Sequence, residues 1–160
     1  MQAEGELAPA AASPSTGGSA ARQFGRAWLL HAVALALHVT DEASTDFLSV
    51  YNPLALAIRQ RLPWLPVPVF SFGVWLAGLA AAIALLLALT PLAQRGARGL
   101  VIVALPLSVL MVFNGLGHIG GSFYFGRFMP GVYSSPVLIA AAGWLLISAL
   151  RIFKLKNPQA

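Results

Sequence analysis

Three stretches of this chain contain no Asp, Glu, Lys or Arg at all: residues 62–94, 99–126 and 128–150. A run of about 18 or more apolar residues is long enough to cross a bilayer, because each helical residue rises about 1.5 Å and the hydrocarbon core is about 30 Å thick. Each uncharged stretch has room for one such span and not for two. Composition agrees. Hydrophobic residues make up 58% of the chain and charged residues 9%, where a soluble domain carries roughly a quarter charged. That is too little charge to wet a soluble surface.

A fourth apolar segment begins after Arg26 and lasts only to Thr40, which is too short to cross alone. Continued to about Val50 it reaches the required length, at the cost of including Asp41, Glu42 and Asp46. The expected fold is therefore all-α, a four-helix transmembrane bundle with spans near 26–50, 68–90, 99–124 and 133–152. Before the membrane domain, 24–153, residues 1–23 are rich in Ala, Pro, Ser, Gly and Thr and are expected to be disordered, since they bury too little to offset ordering entropy. They lack the basic region and short apolar core of a signal peptide. Residues 154–160 form a basic C-terminal tail. Four prolines, Arg59, Arg61 and Trp64 between 52 and 68 predict a short interfacial helix and a turn. Residues 91–99 predict a tight basic loop, and Pro106 should kink the third span.

The ten Lys and Arg residues behind the net charge of +5 lie at the ends of apolar runs and do not gather on one soluble face, which argues against nucleic-acid binding. Arg22, Arg26, Arg95, Arg98, Arg151, Lys154 and Lys156 fall on one side of the membrane. Arg59, Arg61 and Arg127 fall on the other. The richer side faces the cytoplasm, so both termini are expected there, in the inner membrane. The chain has no cysteine, which excludes disulfides and thiolate metal sites.

All three histidines, His31, His38 and His118, lie inside expected spans. Ionisable groups are expensive in a bilayer and mark functional positions or a buried polar network. At 100° per residue, His31, His38, Glu42 and Asp46 project within an arc of about 80°, with Asp41 on its flank. Asn114 and His118, four residues apart, share a face of the third span. The first and third spans run parallel, so His38/Glu42 and Asn114/His118 should meet in the outer half of the membrane. Nearby, Gly117 and Gly121 form a small-xxx-small pair suited to close helix approach.

The ordered set His38-Val-Thr-Asp41-Glu42, Asn114-x3-His118 and Phe128-Met-Pro130-Gly131 resembles the HXXEE family of small bacterial membrane proteins. That family is named for a His-x-x-Glu-Glu motif, with a further histidine and a Tyr-x-Pro-Gly motif. The resemblance extends over residues 27–152. Asp41 stands in place of the first Glu, which keeps a carboxylate on a shorter arm, and Phe128 in place of the Tyr, which removes a hydroxyl. The resemblance implies a membrane protein and supplies no activity.

Four functional readings follow. His38, Glu42 and His118 are good ligands for a divalent metal such as Zn, Fe or Mn, with Asp41 or Asn114 as a fourth ligand or an orienting partner. The same groups suit metal-free acid–base chemistry on a lipophilic small molecule. A proton relay or small transporter is a third reading, and four spans would then call for a homo-oligomer. The fourth is a structural polar network that fixes helix register. The residues expected to carry any chemistry are, in order, His38, Glu42, His118, Asp41 and Asn114, with His31 and Asp46 outside them. Phe123, Tyr124, Phe125 and Phe128 suit either a substrate entrance or an aromatic belt. Arg127 either pairs with Asp46 or snorkels to the interface. Pro130-Gly131 predicts a turn with Gly131 at positive φ.

Overall fold

The computed structural model describes residues 16–156, and their fold is helical: α1 (Thr16–Ser44), α2 (Phe47–Arg61), α3 (Phe72–Ala88), α4 (Thr90–Gln94), α5 (Arg98–Phe125) and α6 (Ser135–Lys156). No strand occurs among the described residues. The uncharged stretches hold α3 with the short α4, most of α5 and most of α6. Of these helices, α5 and α6 are long and apolar enough to cross a membrane by themselves, while α3 is apolar but only 17 residues long.

The most apolar part of α5 is 22% buried inside the molecule and that of α6 is 33%. Core helices of soluble proteins bury most of their surface. Here Leu110, Phe113 and Leu116 on α5, Val137 and Ile147 on α6, and Val74 and Leu85 on α3 all point outward. Outward faces this apolar suggest a membrane protein.

Helix α1 organises the interior. Among its buried positions, Phe24, Trp28, His31, Leu35, His38 and Glu42 recur at three- and four-residue spacing. It packs against α6, α4 and α3, while α5 lies along α6. One buried cluster joins Phe24 and Trp28 to Ala93, Val101, Leu145 and Ile152. A second joins Ala34, Leu35 and Val39 to Trp75 and Leu138. Trp28 Nε1 donates to the Leu86 carbonyl at 2.7 Å, tying α1 to α3.

Several expected boundaries move. The first span does not continue to Val50. Its helix stops at Ser44, and Asp46 adopts φ 58° and ψ 51° before α2 begins. The left-handed region is costly for most L residues but tolerated by Asp. Thr45 helps to close the helix end, its backbone N–H donating to the Asp41 carbonyl at 3.1 Å and its hydroxyl to the same oxygen at 2.6 Å. In consequence the helix expected after residue 52 begins at Phe47.

The linker to α3 is clasped by Asn52, whose amide donates to the Phe70 carbonyl at 2.9 Å and accepts from the Phe70 N–H at 3.1 Å. The expected basic loop contains the short helix α4. The N-terminal disorder expected over 1–23 is overturned for 16–23, which are helical, and residues 1–15 lie outside the described residues. Ala20 and Phe24 pack on the α4 and α6 side chains of the first cluster. At the other end α6 runs on to Lys156 into the expected tail, of which 157–160 lie outside the described residues.

Close approach of α5 and α6 occurs at Gly115, where a Cβ would stand 2.6 Å from Ile139 Cγ1 and 3.2 Å from the Ser135 carbonyl oxygen. A Cβ at Gly117 would meet nothing within 4 Å, and at Gly121 only Met129 at 3.5 Å. The small-residue contact is real but sits two residues before Gly117, on a different face from the Gly117/Gly121 pair.

Candidate metal centre

Helix α1 carries His38 and Glu42 one turn apart, so both side chains face the same way. Helix α5 presents Asn114 and His118, again one turn apart. The two pairs meet. His118 Nε2 lies 3.1 Å from Glu42 Oε1, and His38 Nε2 lies 3.5 Å from the same oxygen. The imidazoles stand edge to face, with centroids 4.9 Å apart. One ligand atom from each of His38, Glu42 and His118 falls within 4.8 Å of the others, and all three side chains are buried.

The loop between α5 and α6 closes this cluster. Gly126 ends α5 at φ 63°, and Gly131 follows at φ 82°. A Cβ on Gly131 would sit 3.0 Å from Glu42 Cγ, His118 Cε1 and His38 Cε1 alike. Glycine is required here twice, by the backbone conformation and by the three side chains pressed beneath it.

Ser134, on the same loop, fixes the state of His38. Its backbone N–H donates to Asp41 Oδ2 at 2.9 Å and its hydroxyl donates to the same oxygen at 2.8 Å. A hydroxyl has one proton to give. With that proton on the carboxylate, Ser134 Oγ accepts from His38 Nδ1–H across 2.9 Å. His38 Nε2 is then left with its lone pair, which accepts from Asn114 Nδ2 at 2.9 Å. An Asp41–Ser134–His38 chain thus sets the tautomer and the ring plane, and turns an unprotonated nitrogen toward Asn114 and the cluster.

The five foremost sequence candidates therefore come together: His38, Glu42 and His118 as the cluster, Asp41 and Asn114 beside it. His31 does not join them. It lies two turns, about 10 Å, further down α1, buried with neither ring nitrogen hydrogen-bonded. Asp46 is also outside, exposed at the α1–α2 turn and no longer in phase with the helix. Among the described residues no ion pair joins it to Arg127. The sequence reading missed Ser134 altogether and treated Gly131 only as a turn. Phe47 was missed too, its ring centroid 5.8 Å from that of His118.

A family model described as "Protein of unknown function with HXXEE motif" matches residues 28–145. The chain belongs to the HXXEE family. No curated protein and no solved structure matches it. In this HXXEE protein the motif's spacing has a direct geometric meaning. Its first and last residues, His38 and Glu42, share a helix face and point into the cluster. Asp41, where the motif has its first Glu, leans aside to hold Ser134. Phe128, where the resemblance expected a Tyr, is exposed and packs against Tyr133, with ring centroids 5.5 Å apart.

Proposed function

We propose that this HXXEE protein is an integral membrane metalloprotein that binds a divalent cation, Zn, Fe or Mn, through His38, Glu42 and His118, and acts on a lipophilic substrate. In this reading α1, α3, α5 and α6 cross the inner membrane, both termini face the cytoplasm, and the site lies in the outer half of the bilayer. The surplus of Lys and Arg on the terminal side supports that orientation.

The observation that carries the proposal is the spacing of the ligand atoms. Two ligands of a tetrahedral site with bonds of about 2.1 Å stand about 3.4 Å apart. The His118–Glu42 and His38–Glu42 separations of 3.1 and 3.5 Å bracket that value. Donor type agrees, two imidazoles and a carboxylate being a common catalytic set that leaves a position open. A metal held there would supply Lewis acidity or an activated water. The protein's own contributions are separable from this. The Asp41–Ser134 pair orients His38, Gly131 roofs the ligands and limits water, and Asn114 stands over the His38 nitrogen where a fourth ligand or a substrate atom would lie. A complete hydrogen-bond network around His38 also supports metal-free acid–base chemistry or a structural role.

Metal-dependent stability separates the readings. A cation at 100 times its Kd adds about 2.7 kcal/mol to the folded state. Chelator-treated protein in detergent should therefore gain several degrees in Tm with at least one of Zn²⁺, Fe²⁺ and Mn²⁺, and the His118→Ala variant should not. No shift in the wild-type protein with any of the three would remove the metal reading.

A further inference from the structure

A groove of about 670 Å³ opens beside the cluster, between the end of α5, the loop after it and the first turn of α6. Its walls are Ile119, Phe123, Phe128, Val132 and Pro136. Two lining residues directly follow residues of the site described above, Ile119 after His118 and Val132 after Gly131, and Pro136 lies two residues after Ser134. The groove and the cluster are thus built from the same short segments.

Polar character in the groove is confined to two side chains. The Ser122 hydroxyl is already engaged, donating to the His118 carbonyl at 2.7 Å and accepting from the Met129 N–H at 2.9 Å. Arg127 is the remaining one. It is the sole charge lining the groove, it is exposed, and among the described residues its guanidinium forms no ion pair. An apolar trough with one unpaired cation at its rim matches a molecule with an aliphatic body and one anionic end. A guanidinium pairs with a carboxylate through two parallel N–H···O bonds. The volume lies within the range of about 300–1,000 Å³ typical of small-molecule sites, which suits one acyl chain and not a whole two-chain phospholipid.

We propose that this groove binds a free long-chain fatty acid, its carboxylate on Arg127 and its chain along Ile119, Phe123, Val132 and Pro136. That the fatty acid is also the substrate of the neighbouring centre rests on the metal-centre reading; the binding itself does not. The groove brings the chain, not the carboxylate, next to the His118 and Gly131 segments, so the carboxylate serves for recognition.

The test uses the full chain in detergent, stripped of metal, with radiolabelled palmitate and hexadecanol as probes. Palmitate should bind saturably. Arg127→Gln should weaken palmitate about tenfold or more, the loss expected for a charge-assisted hydrogen bond, and should leave hexadecanol unchanged. Val132→Trp, which fills the groove, should abolish both. Arg127 is exposed and its backbone N–H donates to the Ser122 carbonyl at 3.2 Å, a contact the Gln variant keeps. Non-saturable palmitate binding, an unchanged affinity in Arg127→Gln, or displacement by a two-chain phospholipid at lower concentration than palmitate would each overturn the proposal. Because the probes need no metal, failure here leaves the metal centre standing, and absence of metal with palmitate binding intact leaves the groove standing.

Discussion

Alanine at Gly131 should weaken metal binding by about 10- to 100-fold, the range seen when a group that supports metal ligands is disturbed. Two effects act together. An L residue in the left-handed region costs about 1–2 kcal/mol, and Gly131 sits at φ 82°. The new methyl would also stand 3.0 Å from carbons of Glu42, His118 and His38, where carbon atoms prefer about 3.5–4.0 Å. Backbone retreat lifts the roof off the cluster and carries Ser134 with it, loosening the Asp41–Ser134–His38 chain. Side-chain retreat separates the ligands. Either response should show as a lower Tm in detergent together with a weaker metal titration. An unaltered titration would mean that the loop does not press on the ligands.

Glu42→Gln should produce a different signature. The amide keeps nearly the same volume and retains an oxygen to accept from His118 Nε2–H, so the metal-free fold should lose only about 1 kcal/mol, the difference between a charged and a neutral acceptor. Metal affinity should fall by 100-fold or more, because a neutral amide would replace the one anionic member of the proposed ligand set. A purely structural network predicts the reverse: a loss of stability with no metal effect to lose. Measuring Tm with and without added cation on the same preparation distinguishes the two.

Much of this arrangement was legible in the sequence because it is carried by helix periodicity. The uncharged gaps hold α3 and most of α5 and α6, since the absence of charge and the length of a span are properties that sequence states directly. His38 with Glu42 and Asn114 with His118 could be paired because residues four apart must share a helix face. What escaped lies off the helices or between them. Ser134 meets His38 across 96 residues of chain, and Gly131 roofs the cluster from a loop, where no period applies. The helix end at Ser44 depends on one left-handed Asp46, so the first span was read as running on to about Val50 and Asp46 as in phase with Glu42, though outside the site.

The choice between Gly115 and Gly117 at the α6 contact depends on how α5 is rotated. That helix is apolar on every side, so its sequence does not say. Composition misled at 16–23 as well, which read as disordered but are helical, with Ala20 packed on the first buried cluster. His31 was expected on the face of the cluster but outside it, and it lies there, two helical turns away.

Elemental mass spectrometry on detergent-purified protein bears most directly on the metal centre, with the wild type beside a His38→Ala/His118→Ala double variant from cells grown with Zn, Fe and Mn. The account predicts close to one metal ion per chain in the wild type and none in the variant. Metal absent from both, or present equally in both, would contradict it.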